Sequence, residues 1–165
     1  MNKSIVILGT SRSKGNTWQA IKMVYGDNIS IIDLNNLTIT PYDYENKNQE
    51  DEYIPLMEKL LSYNTIILAT PVYWYTMSVP IKLFLDRLTD VITIRKDIGR
   101  KLKGKNLFVL ASFGTSLPNG FEDAFSQTCT YMDMNYLGTS FIYFGEDKQL
   151  LAGNAEQIEF AQIRI

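Results

Sequence analysis

Histidine is absent from this 165-residue chain, and cysteine occurs once, at Cys129. The first absence removes every His-dependent triad, dyad and zinc site. The second removes an intrachain disulfide, a CxxC redox pair and a cysteine-ligated cluster. Basic residues are slightly outnumbered by acids, 16 against 18, with no basic run, so no electrostatic argument favours nucleic acid. Long apolar runs are missing too. The N-terminal stretch Ile5–Leu8 meets Gly9 at once, too short for a signal h-region or a membrane span. The expected setting is therefore cytoplasmic, with no membrane partner. Any catalysis must rest on a bound organic cofactor, carboxylates, hydroxyls or cations.

Five apolar, β-rich runs alternate with segments of helical period. Strands are expected at Ser4–Leu8, Ile29–Leu34, Thr65–Ala69, Asn106–Ala111 and Thr139–Phe144. They read as near-continuous Ile/Leu/Val/Phe, as strands covered on both faces do. Helices are expected at Thr17–Tyr25, Ile54–Leu61, Pro80–Thr89, Phe121–Tyr136 and Asn154–Ile163. The alternation predicts an α/β three-layer sandwich of the flavodoxin-like kind, one domain over residues 1–165, with parallel strand order 2-1-3-4-5. The longest polar connection is Pro41–Tyr53. It reads either as a solvated surface loop or as a flap bringing Tyr42 or Tyr44 to a pocket.

Two segments carry chemistry, and both leave a strand at the carboxyl edge, where such sheets bind ligands. The first is Gly9-Thr10-Ser11-Arg12-Ser13-Lys14-Gly15-Asn16-Thr17. Small residues let backbone N–H groups turn inward, hydroxyls add adjustable donors, and the following helix aims its free N–H groups at the same space. Arg12 and Lys14 add charge suited to a dianionic phosphate. A Walker loop fits worse, because five residues separate Gly9 from Gly15 and Asn16 replaces the lysine. The plainer alternative is a strand-to-helix turn capped by Gly15 or Asn16.

The second segment is Thr70-Pro71-Val72-Tyr73-Trp74-Tyr75-Thr76-Met77-Ser78. Three consecutive aromatics in a loop cannot all be buried by periodicity, and aromatic rings suit a flat conjugated ligand. A hydrophobic turn closing the core is the alternative. A third loop, Ser112-Phe113-Gly114-Thr115, follows the fourth strand and belongs beside the other two. A ligand needing a phosphate cradle and a ring wall together is a phosphorylated aromatic cofactor, and FMN is the expectation. Cofactor-binding residues are expected at Ser11, Arg12, Ser13, Gly15, Asn16, Thr17, Pro71, Val72, Tyr73, Trp74, Tyr75, Thr76, Met77, Ser112, Phe113 and Gly114. On that expectation the cofactor carries the chemistry, so no protein acid or base is required.

These residues resemble the NAD(P)H-dependent FMN reductase family of the flavodoxin-like superfamily. The opening loop is similar to its G-S-x-R-x-x-G-N-T phosphate signature. The block Thr70-Pro71-Val72-Tyr73-Trp74, then Met77-Ser78, then Lys82-Leu83-Phe84-Leu85-Asp86-Arg87 resembles its second motif in residues and spacing. The resemblance spans roughly residues 3–145. It implies FMN, reduction by NADH or NADPH, a small acceptor (quinone, nitro compound or flavin) and a homodimer. Tyr75 stands where the family commonly has glycine, which bears on nicotinamide access. The cysteine cluster that some relatives carry near Pro41–Asp51 is absent, which excludes the iron–sulfur branch.

Two other classes stay open at this point: a flavodoxin-type electron carrier docking on a protein, and a nucleotide-binding domain without redox activity. Flavodoxin carriers tend to be strongly acidic, whereas this chain is at −2. Cys129 shares a helical stripe with Phe121, Phe125 and Met132, as an inert buried thiol would. Asp86 and Arg87 are expected on the solvent side of their helix as a surface or interface ion pair. Ile81, Phe84, Leu85, Leu88, Val91 and Ile92 form an apolar stripe, leaving Leu83 opposite with Lys82, Asp86 and Asp90. That helix, starting at Pro80, is the expected dimer element.

Overall fold

The computed structural model describes residues 3–164. Five strands, β1 (Ser4–Leu8), β2 (Ser30–Asp33), β3 (Thr65–Pro71), β4 (Asn106–Phe113) and β5 (Asn135–Tyr143), form one parallel sheet in the order β2-β1-β3-β4-β5. The helices are α1 (Asn16–Tyr25), α2 (Tyr53–Leu60), α3 (Val79–Asp86), α4 (Leu88–Thr93), α5 (Lys96–Gly99), α6 (Asp123–Tyr131) and α7 (Lys148–Gln162). Among the described residues no helix is long and apolar enough to cross a membrane.

The period of two along each strand divides the core. Ile5 and Ile7 of β1 face a cluster with α2, α3 and α6, built on Tyr53, Leu60, Ile81, Phe84 and Phe125. Val6 and Leu8 face the other, built on Ala20, Ile21 and Val24 of α1 and Ala161 of α7. Every residue of β3 is buried, as expected of a central strand with helices on both faces. The sandwich and its 2-1-3-4-5 order match the expectation from sequence.

Four expectations are corrected. The helix beginning at Pro80 breaks at Arg87, between α3 and α4. Arg87 itself is not on the solvent side but fully buried, and Asp90, expected beside the exposed Lys82, is buried with it. Asp86 does remain outside, paired with Lys82. The helix expected through Tyr136 ends at Tyr131, where Asp133 turns left-handed at φ 54. Residues 135–137 instead join β5, because β4 offers partners back to Asn106. Finally, α7 starts six residues early, capped by Asp147 Oδ1 accepting from Gln149 N at 2.8 Å and Leu150 N at 3.1 Å.

The Arg87 site is a buried ion cluster. Its guanidinium donates to Asp90 Oδ2 at 2.8 Å, to both oxygens of Asp51 and to the carbonyl of Thr40 at 2.8 Å, over the Tyr53 ring at 4.7 Å. Burial opposes ionisation of Asp51, yet hydrogen bonds from Arg87, Thr40 and Tyr53 prevail and hold its pKa below the usual carboxylate value. One arginine thereby fastens both ends of the 41–52 connection. Between them Tyr44 is exposed, edge-on to Tyr42.

Candidate cofactor site

Three loops meet at the carboxyl edge of β1, β3 and β4. Gly9 N donates to Ala69 O at 2.9 Å, carrying the β1–β3 ladder one residue into the loop. A Cβ on Gly9 would lie 2.5 Å from Ile81 Cγ1, so only glycine lets α3 approach β1 this closely. Buried hydroxyls then lock the loops to one another. Ser78 Oγ donates to Gly9 O at 2.6 Å, Ser78 N donates to Thr70 Oγ1 at 3.0 Å, and Thr17 Oγ1 and Ser112 Oγ share a hydrogen bond of 2.7 Å. From the β2 side, Asn35 Nδ2 donates to Thr10 O at 2.7 Å. Each loop is held by a partner from another strand, so the space between them is preformed.

That space is a recess of about 120 Å³ lined by Thr10, Arg12, Gly15, Asn16, Thr17, Pro71, Val72, Tyr73, Ser112, Phe113 and Gly114. The helix α1 opens on it. Gly15 is its N-cap and no side chain caps it, so first-turn amides keep the donor capacity that a capped helix would spend internally. Of the two residues that the plainer alternative offered as the cap, Gly15 holds the position and Asn16 is the first helical residue. A Cβ on Gly114 would meet no atom within 4 Å, so the third loop leaves open space beside the recess. A small, mainly polar recess beside an uncapped helix N-terminus, open to solvent on one side, fits a phosphate joined to a larger group.

The aromatic segment is a two-residue hairpin. Tyr73 N donates to Thr76 O at 2.9 Å and Thr76 N to Tyr73 O at 3.1 Å, with Trp74 at φ 45 and Tyr75 at φ 68. Both central residues thus occupy positive φ, the mark of a type I′ turn, where Asn-Gly is the favoured pair. A left-handed non-glycine residue costs roughly 1–2 kcal/mol. The turn nevertheless holds two large aromatics outward, with Trp74 93% and Tyr75 66% exposed.

The expected site residues therefore fall into three groups. Arg12, Gly15, Asn16, Thr17, Pro71, Val72, Tyr73, Ser112, Phe113 and Gly114 line the recess. Ser11, Ser13, Trp74, Tyr75 and Thr76 are exposed around it. Met77 is buried in the core and supports the hairpin from below. Thr10, Thr70 and Ser78 fall inside the two segments but outside the expected binding set: Thr10 lines the recess, Thr70 and Ser78 tether the loops, and Asn35 alone was not singled out. The hydroxyl pattern Thr70…Ser78 was legible, but Asn35 had no local signal because only the fold brings it to Thr10. Cys129 is buried as expected, its thiol pushed up to about 12 by desolvation, so it stays protonated and inert.

Comparisons with known proteins give the family and the fold. The model of the NADPH-dependent FMN reductase family matches residues 2–149. YwqN of Bacillus subtilis, assigned as an NAD(P)H-dependent FMN-containing oxidoreductase, is 33% identical over 121 residues, 68% of this chain and 67% of that protein. Among solved structures, the Trp repressor binding protein of Bacillus subtilis superposes with TM-score 0.71 at 26% identity, over 99% of both chains. An FMN-dependent NADH-azoreductase of Bacillus anthracis, solved with FMN, shares the fold at TM-score 0.68 and 13% identity, again over 99% of both. The chain belongs to the NADPH-dependent FMN reductase family and is an NAD(P)H-dependent FMN oxidoreductase.

Proposed function

We propose that FMN binds with its phosphate in the recess at the α1 N-terminus. Main-chain amides of Gly15, Asn16 and Thr17, the hydroxyls of Ser11 and Ser13 and the Arg12 guanidinium would hold it. The observation that carries this reading is the uncapped α1 opening on a recess walled by all three carboxyl-edge loops. The isoalloxazine would lie against Tyr73, with Pro71, Val72, Thr76, Ser112, Phe113 and Gly114 around it and Trp74 and Tyr75 bounding its open side. When bound, FMN supplies the redox chemistry, accepting a hydride from NADH or NADPH and reducing an acceptor. The protein's own residues bind, orient and shield from water, a task that needs no histidine.

The acceptor is a small planar molecule, a quinone, nitro compound or free flavin, since the open aromatic side would receive flat conjugated rings. The enzyme would work where reduced nicotinamide is kept, in the cytoplasm, as a homodimer paired through α3. Two measurements test the core of this reading. Anaerobic mixing of the purified protein with NADPH should bleach the flavin absorbance. Titration should show FMN binding far more tightly than riboflavin, and equal affinities would remove the phosphate role of the first loop.

A further inference from the structure

Six of the 16 lysines and arginines fall between Arg95 and Lys105, where Asp97 is the only acid, in a chain whose net charge is −2. Three of the six are paired within the protein. Arg95 pairs with Glu58 and Asp97, and Lys105 Nζ donates to the carbonyls of Leu61 and Tyr63. Lys103 pairs with the exposed Asp133 at 3.1 Å. Lys96 and Arg100 make no ion pair among the described residues.

Lys96, Arg100 and Lys103 stand around a recess of about 420 Å³ between α4, α5 and the end of α6, with Asp133, the partner of Lys103, also in its wall. Its floor is apolar: Val91 and Met132 are buried and Ile92 half-buried, while Tyr131, 74% exposed, stands at its side. The floor is fixed by close backbone contact, because a Cβ on Gly99 would lie 2.2 Å from Val91 O, so α5 rests directly on α4. The recess lies far from the flavin loops. The segment carrying α4 and α5 leads into the start of β4, and α6 into the start of β5, so both end at the amino edge of the sheet.

We infer that this recess binds a small amphipathic organic anion, an apolar body carrying a carboxylate or phosphate. The volume is that of a small-molecule site. The apolar floor and Tyr131 would take the body, and the unpaired Lys96 and Arg100 would take the charge. Because the site is at the opposite edge from the cofactor, an occupant should not compete with NAD(P)H.

The test uses the FMN-loaded enzyme and calorimetric titration with three probes: 1-naphthoate, its uncharged analogue 1-naphthalenemethanol, and inorganic phosphate. Naphthoate should bind at least tenfold more tightly than the alcohol or phosphate. Lys96→Glu with Arg100→Glu should weaken naphthoate at least tenfold, leaving alcohol binding, flavin content and NAD(P)H oxidation unchanged. Tyr131→Ala should weaken both aromatic probes, whereas Trp74→Ala should affect neither. Equal affinity for naphthoate and the alcohol would overturn the proposal, as would an undiminished naphthoate affinity in the double variant. Sedimentation provides a second check. If the double variant turned an assembled enzyme into monomers while naphthoate bound neither form, the recess would be a contact between copies of this chain instead.

Discussion

Ser78 donates its hydroxyl to the carbonyl oxygen of Gly9 at 2.6 Å, tying the aromatic loop to the phosphate loop across 69 positions of sequence. Both groups are buried, and Ser78 N is held in turn by Thr70 Oγ1. Ser78→Ala leaves the Gly9 carbonyl without that partner, a loss of about 1–3 kcal/mol. Urea unfolding should show that loss, and FMN titration should show weaker binding because the two walls no longer hold their spacing. Unchanged FMN affinity with lowered stability would make Ser78 a fold tether only.

Arg12 lines the recess while its backbone carbonyl accepts from Gly15 N at 3.1 Å. A charge-assisted bond to phosphate is worth about 1.5–3 kcal/mol. Arg12→Ala should therefore weaken FMN roughly tenfold or more and leave riboflavin binding unchanged. Equal losses for both flavins would mean that Arg12 shapes the loop rather than meeting the phosphate.

Tyr75 pays for its place in the hairpin with a left-handed backbone, φ 68. Tyr75→Gly relieves a strain of roughly 1–2 kcal/mol, offset in part by glycine's greater freedom when unfolded, so a net gain of about 0.5–1 kcal/mol is expected. If the ring gates the open side of the flavin, the same variant should change KM for NAD(P)H. Trp74→Ala is the companion measurement, and bound-flavin fluorescence should partly return. Steady-state kinetics unchanged in both variants would disconnect the exposed aromatics from turnover.

Much of this was legible before the structure because periodicity and strand-edge position are local properties. The apolar runs Ile5–Leu8 and Ile66–Ala69 gave adjacent parallel strands, and their following loops had to share an edge. Arg87 was misread because a charged residue next to Asp86 on a helix is ordinarily a solvated ion pair, and no local signal says that the 41–52 connection covers it. The helix breaks there, and Asp51, 36 residues away, supplies the charge that allows Arg87 to be buried. The start of β5 was misread for a related reason. Residues 135–137 have helical neighbours in sequence, but β4 partners in space decide their conformation.

The Arg87 cluster carries a pH signature. Two carboxylates share one fully buried guanidinium, and Asp90 Oδ1 has no hydrogen-bond partner. Removing the cation in Arg87→Met leaves buried carboxylates uncompensated, an expected loss of about 3–5 kcal/mol. Asp51 titrates below its ordinary value when folded, so its contribution is present above the unfolded pKa of about 3.9 and disappears as pH falls through the folded value. Asp51→Asn should be less stable than wild type near neutrality, with the deficit shrinking below about pH 4. A deficit independent of pH would show that geometry, not charge, is what Asp51 contributes.

The proposed pairing of two copies through α3 predicts which substitutions should separate them. Leu83, expected to stand free on a charged face, is half-buried in a recess with Leu34, Leu37, Ile39, Val79 and Pro80. Leu83→Glu alone is therefore ambiguous, because it disturbs the monomer's own packing. Val79 is 78% exposed at the start of α3, so Val79→Glu costs a monomer little. It tests the interface directly, since a charge buried at an apolar contact is strongly unfavourable. Light scattering at micromolar concentration should give about twice the chain mass for the wild type, and about half that value for Val79→Glu with unfolding unchanged. If flavin affinity falls with the mass, the second copy helps to build the pocket. A monomeric variant with full NAD(P)H oxidation would show that each chain holds a complete site.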